Sequence, residues 1–466
     1  MPPPLGNNLV LGAIIWGSGR TRLSDLKRNT LPPFPSATPL KKPLLSQVSL
    51  AKRSPNAPLK HEIASLEPRT PILLLQMLRL RYTLPLLLAA VGQLCAQSQP
   101  PEPTASVKVP TLKEQWENLG LVYRDPKAKG LQELWLLGRY HGHYHDTGGA
   151  GRSDSGFESR RIRLGFQAKM IDRLTIHAQA ISGSDFEPVY NGFTELWVRW
   201  EFDPACALTV GQQKHRFTHD RNVSSRYMTF MERSMFTNMM GLDYTPAVTL
   251  SGRVGKLDYY AGVFSNTAGI DMWEAFTELH SGWSGLAAVT YDLGKLGGAD
   301  SAAFYGSLLH SEARKGATNL TRFDDAASAA LILTQGPAAL VTEVTAGFGG
   351  TKGDAVGLNL QPSLFLTDQL ELVSRFQLAS ASHADGLRSQ RRYESAAGLP
   401  NGDHYQATYL GLNYYLAGHR MKLLSGIEHA RMNHRDVVTL FAGFRMFFGP
   451  HSNAPFPGNK LLKGIW

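Results

Sequence analysis

The 466-residue chain is 43% hydrophobic and 18% charged, too apolar and aromatic for a disordered polymer and long enough for several ordinary domains. Its formal charge of +10 would point to a nucleic-acid or anionic-surface partner. The excess is local, however: residues 1–96 hold 12 Lys and Arg against 3 Asp and Glu, and the remainder holds 36 against 35. Nucleic acid is therefore not an expected partner, and the absence of any run of about 20 apolar residues excludes helical membrane spanning.

Residues 1–76 are rich in Pro, Ser, Lys and Arg and show no sustained periodicity. They are expected to be a spurious or disordered extension, with translation starting at Met77. Residues 77–96 then read as a signal peptide: Arg79 and Arg81, the apolar stretch Leu84 to Val91, and the small residue Ala96 before a cut ahead of Gln97. The bulky Leu94 argues against a lipoprotein anchor at Cys95. Residues 97–130 are expected to form a periplasmic leader, proline-rich at first, with 111–130 rimming or plugging the periplasmic mouth of a downstream barrel.

From Glu133 the pattern changes to period two. Leu134, Leu136, Gly138, Tyr140, Gly142 and Tyr144 alternate with Trp135, Leu137, Arg139, His141, His143 and His145. Successive strand side chains point to opposite faces, so one set suits lipid and the other a polar lumen. Three more segments repeat the logic: Arg161 to Met170, Leu174 to Ala180 and Thr194 to Phe202, with Arg163, Lys169, His177, Glu195 and Arg199 on the polar side. A barrel can span a membrane because every backbone group is paired between strands.

Further candidates run over Leu208–Lys214, Val248–Gly255, Leu257–Asn266, Gly282–Leu293, Ala302–Glu312 and Ala326–Thr334. The remainder are Ala339–Phe348, Ala355–Leu366, Leu370–Ser380, Tyr405–Leu416, Met421–Arg431 and Val437–Phe448. The expected fold is all-β: a transmembrane antiparallel β-barrel of about 16 strands over residues 131–448, each strand about 9 to 11 residues long. Short links such as Asp203–Ala205, Gly255–Lys256, Thr367–Gln369 and Ala417–His419 would be periplasmic turns, and long ones such as Ser382 to His404 extracellular loops. Tyr140, Tyr144, Trp200, Tyr259, Trp283 and Tyr291 would form interfacial girdles. The 45 glycines against 2 cysteines suit many turns and no disulfide framework. A C-terminal tail, 449–466, succeeds the aromatic last strand.

The segment Lys214 to Met240 is too polar and irregular for a lipid-facing strand. Its Lys214, Arg216, Arg221, Arg226 and Arg233 are candidates for a pore constriction, because a guanidinium in a narrow pore can replace part of an anion's hydration shell. The alternative is that these arginines pair with Asp220 and Glu232 and pin the loop to the wall. Lumen-facing Arg161, Arg163, Arg199, Arg253 and Arg375 are candidates for a basic path along the wall, opposed by Glu195, Glu201, Glu343, Glu371 and Glu428.

Gly211-Gln212-Gln213-Lys214, Met231-Glu232-Arg233-Ser234, Gly411-Leu412-Asn413-Tyr414-Tyr415 and the terminal strand resemble the phosphate-selective porin O and P family over Leu131 to Phe448. The resemblance implies a 16-stranded barrel, commonly a homotrimer, passing anions through a constriction made by an inward-folded loop and basic side chains. The arginine ladder behind that family's phosphate specificity does not map onto positions here.

The expected protein is thus a Gram-negative outer-membrane porin for small hydrophilic solutes, with a mild preference for anions, membrane lipid as its surroundings and no cofactor. The alternatives are a structural or adhesive barrel with a sealed lumen, or an outer-membrane hydrolase using Ser153, Ser155, His219 and Asp220, which lack a G-x-S-x-G elbow. His141, His143 and His145 share a face, but same-face neighbours nearly 7 Å apart suit a metal poorly, so no metal site is expected.

Overall fold

A computed structural model describes residues 116–241, 243–267, 271–277, 282–313 and 321–450. The extension 1–76, the signal peptide 77–96, the first part of the leader and residues 451–466 lie outside the described residues.

Sixteen antiparallel strands form a closed barrel: β1 (Leu131–Gly149), β2 (Arg152–Met170), β3 (Leu174–Ile181), β4 (Phe193–Asp203), β5 (Cys206–Lys214), β6 (Tyr244–Val254), β7 (Leu257–Ser265), β8 (Gly282–Leu296), β9 (Ala299–Ala313), β10 (Asp325–Gln335), β11 (Ala338–Phe348), β12 (Ala355–Phe365), β13 (Leu370–Ala381), β14 (His404–Tyr415), β15 (Met421–Met432) and β16 (Arg435–Phe448). Each strand pairs with the next in sequence. β16 closes the ring on β1, from Val437 opposite Gly149 to Phe448 opposite Gly138. Closure leaves no open edge, the condition for a sheet to cross a membrane.

The alternation seen in the sequence is the inside-outside division of the wall. In β14, Tyr405, Ala407, Tyr409, Gly411, Asn413 and Tyr415 are buried inward while Leu410, Leu412 and Tyr414 are exposed outward. The six girdle aromatics also lie on outward faces. Outward Leu164 and Leu308 are 63% and 64% exposed, and an apolar belt of this extent marks a surface made for hydrocarbon rather than water.

Strand lengths differ from the sequence expectation at the start. β1 and β2 are each 19 residues long, and β8 and β9 are each 15. The ladder continues well past the belt, so the polar residues beyond His145 extend a hairpin instead of forming a loop. For the same reason two links on the long-loop end are tight. One is Ala150–Gly151, the other Asn433–His434, whose two residues both take positive φ (48° and 67°), as a two-residue hairpin requires.

Residues 116–130 sit at the short-turn end. Leu121–Arg124 pairs with the start of β1, Gly449 donates to the Leu119 carbonyl at 3.1 Å, and Arg420 donates to the Glu117 carbonyl at 2.6 Å.

The core lies inside the barrel. The described residues between β5 and β6 fold inward and bury Phe217, Met235, Phe236, Met239 and Met240 against small inward residues such as Ala247, Ala326, Ala355, Ala379 and Ala407. A Cβ on Gly357 would lie 2.6 Å from the Phe236 ring, and one on Gly443 would lie 2.7 Å from the Met231 methyl. Glycine at these two wall positions is what lets the loop approach.

Candidate functional site: a basic chamber under an inward loop

Two single-turn helices organise the loop. In α1 (His219–Asn222) the Thr218 hydroxyl caps by accepting from the Arg221 amide at 3.0 Å. In α2 (Met235–Met239) the Ser234 hydroxyl accepts from the Thr237 amide at 3.3 Å. Caps satisfy amides that a short helix leaves unpaired. The Asp220 carboxylate ties the helices together by accepting from the Ser234 amide at 2.7 Å.

The barrel wall holds the loop from several sides. Glu343 of β11 accepts from the His219 and Asp220 amides at the start of α1. Tyr305 of β9 donates to the Arg216 carbonyl at 2.6 Å, and the Gln377 side chain of β13 accepts from the Met235 amide at 2.8 Å. Across 228–232 the wall supplies donors to backbone carbonyls. Lys422 reaches Met228 at 2.6 Å, Asn413 reaches Thr229 at 3.0 Å, Arg445 reaches Phe230 and Met231 at 2.9 and 2.5 Å, and Arg375 reaches Glu232 at 2.7 Å. These donors, three of them cations, satisfy the carbonyls of a strip that makes no ladder, so buried backbone acceptors remain paired.

On the opposite wall a β-bulge makes the anchor. The β1–β2 register jumps between His141, opposite Arg161, and Gly142, opposite Ser159. The extra residue is Arg160, and the bulge re-aims its side chain to the same side as Arg161. Arg160 donates to Glu232 at 2.8 Å, and Arg161 lies 3.6 Å from the other carboxylate oxygen.

The sequence-derived candidates therefore separate. Arg233 is buried in the loop, donating to the Asp220 and Val223 carbonyls. Arg375 pairs with Glu428 at 3.0 Å, Arg163 donates to the Tyr244 hydroxyl at 3.0 Å, and Arg253 makes a bidentate pair with Asp258 at 2.8 Å beside a short turn. Arg221 lies 3.9 Å from Asp243 and faces the Tyr244 ring. The remaining four, Lys214, Arg216, Arg226 and Arg199, line one cavity of about 250 Å³ together with Arg139, His177, Gln179, Trp197 and Glu195.

This chamber sits between the loop and strands β1–β5. Its position reflects the anchoring of the loop, since none of these anchors comes from β3 or β4. Five cationic side chains face one carboxylate there. Arg139 is oriented by Ser225 at 2.7 Å, Lys214 by the Asn222 carbonyl at 2.8 Å, and Arg226 by the Pro450 carbonyl at 3.0 Å. On the far side of the loop a second cavity of about 330 Å³ is lined by Arg160, Arg388, Arg391 and Arg392 with Glu232.

Residues 136–288 match the phosphate-selective porin O and P family. The match runs from within β1 to within β8, and so contains the inward loop and the chamber-lining residues of β1–β5. No curated protein matches the chain. Among solved structures it is similar to Salmonella typhi OmpF in complex with daunomycin (10% identity, 70% of this chain and 100% of that one, TM-score 0.49). It is also similar to outer-membrane expressed OmpT of Vibrio cholerae (11%, 70% and 99%, 0.47) and to Pseudomonas aeruginosa OpdL (12%, 68% and 98%, 0.41). The family match supports an outer-membrane porin.

Sequence reasoning placed Arg139 inward without singling it out. It missed Arg160 altogether, because strict alternation sends that residue outward and a bulge leaves no mark in a single sequence. Arg388, Arg391 and Arg392 lie in a long link, where no alternation says which way a side chain points. His141 and His143 stack with centroids 6.0 Å apart, while His145 turns away to Asp154 at 2.9 Å. The hydrolase residues are not brought together: Ser153 and Ser155 are exposed on the β1–β2 hairpin, and His219 and Asp220 are buried in α1.

Proposed function

We propose that the chain is an outer-membrane porin through which small hydrophilic solutes diffuse passively, with a preference for anions. The observation that carries this reading is the chamber, where Arg139, Arg199, Lys214, Arg216 and Arg226 face Glu195 alone. In a narrow passage with low-dielectric walls such an imbalance concentrates anions and repels cations. The second arginine-lined cavity, on the loop side, extends the same sign of charge towards the other mouth.

The test is single-channel recording in a planar bilayer under a salt gradient. Discrete steps with a chloride-directed reversal potential are expected. A lumen that never conducts would favour a structural barrel, and a cation-directed potential would reject the anion preference. We further propose a homotrimer, checked by the mass of the detergent-extracted protein, and phosphate among the solutes, in keeping with the family's name. Phosphate entry is checked by block of the chloride current.

A further inference from the structure

We infer that the chamber binds small anions that also carry a hydrogen-bond donor, and that Glu195 selects for the donor; this rests on the porin reading. Other carboxylates at the loop accept hydrogen bonds from the protein: Glu232 from Arg160 at 2.8 Å, Glu428 from Arg375 at 3.0 Å, and Glu343 from the His219 and Asp220 amides. Glu195 is different. Among the described residues none donates a hydrogen bond to it and none forms an ion pair with it, although His177, Lys214 and Arg139 act on it at longer range.

A carboxylate that takes no hydrogen bond from the protein is solvated by chamber water, which a passing solute displaces at a cost, and it repels the anions that pass. Both costs fall if the solute brings a hydroxyl or ammonium to Glu195 while its own anionic group meets the guanidinium groups beyond. The chamber offers those two ends. Glu195 and Arg199 stand on the same inward face of β4, with Trp197 between them. Trp197 stacks in parallel on His177, with centroids 4.8 Å apart and planes 3° apart, which stiffens the wall along which the carbon skeleton would lie. A volume of about 250 Å³ is below the ~300 Å³ of drug-sized pockets, so the solute is a small one.

The experiment uses the full-length protein in a planar bilayer and compares block of the chloride current by malate and by succinate, equal in carbon count and charge but not in donors. Wild type should be half-blocked by malate at about one tenth of the succinate concentration, the ratio expected for one hydrogen bond to a charged group. In Glu195→Ala the two should converge, and in the shape-conserving Glu195→Gln the ratio should fall to about threefold, because a neutral acceptor is roughly half as strong. Equal block in wild type, or an undiminished ratio in the variants, overturns the inference while leaving the porin reading intact. Absence of chloride conductance overturns both.

Discussion

Arg160 donates to the Glu232 carboxylate at 2.8 Å only because a bulge in β2 turns an arginine of outward parity into the lumen. With Arg161 at 3.6 Å, two consecutive arginines of one strand hold a single carboxylate of the inward loop. The pair is the link between wall and loop on the β2 side, opposite the carbonyl clamp of Arg375, Lys422 and Arg445.

Glu232→Ala should therefore cost about 3 kcal/mol, because it strands two largely buried guanidinium groups. The expected readout is a lower temperature for loss of the folded, heat-modifiable band on electrophoresis, together with noisier open-channel current. A variant as heat-resistant as wild type would show that the pair does not hold the loop.

Crowding the opposite contact should act on the loop without altering charge. Gly357→Val places side-chain atoms where the Phe236 ring lies, and overpacking of this kind costs ~1 to 3 kcal/mol. The loop, displaced from β12 towards β1–β5, should narrow the chamber, so single-channel conductance should fall while the sign of the reversal potential is kept. Unchanged conductance would separate Phe236 from the size of the pore.

Arg226 and Arg233 are close in sequence and should behave differently. Arg226 lines the chamber, and its removal to Ala should lower chloride-to-potassium permeability about twofold, the effect of ~0.5 kcal/mol from a unit charge acting over ~8 Å of water. Arg233 is buried and supports the Asp220 and Val223 carbonyls, so Arg233→Ala should cost ~2 to 4 kcal/mol in stability. If the two variants exchange these phenotypes in paired bilayer and melting measurements, the division between lining and scaffold is wrong.

The long link 382–403 should loosen in alkali. Glu394 accepts from the Tyr405 hydroxyl at 2.6 Å and from the Gln390 amide at 2.7 Å, and burial together with the Glu428 carboxylate pushes its carboxyl up to about 8. A folded pKa above the ordinary value means that the protonated form is favoured by folding. This contribution is complete below the ordinary carboxylate range and is lost as pH rises through about 8. Proteolysis of this segment should be slow at pH 5 and faster at pH 9, and Glu394→Gln should remove the difference. Equal cleavage of wild type at both values would count against it.

The wall was legible from the sequence because its rule is local. A side chain's face in a strand depends only on its parity, and lipid outside with polar groups inside writes that parity into the residues. Thus Leu410 and Leu412 outward, Asn413 and Tyr409 inward, and the strand boundaries near Leu131 and Phe448 could all be read directly. The loop after Lys214 was legible as an interruption of the same rule.

What the arginines do was not legible, because charge alone does not say which group it meets. Arg226 and Arg233 are both loop arginines, but one lines the chamber and the other is buried under α1. An alternating, closable β-wall with a charged interior and one inserted loop is written in the order of the residues. The clamping of that loop through carbonyl contacts from β13 to β16, and the basic chamber around Glu195 along β1 to β5, arise only when the barrel closes. The difference is one of range: parity acts between neighbours in the chain, whereas the bulge at Arg160 and the glycines opposite Phe236 and Met231 take their meaning from partners far away in sequence.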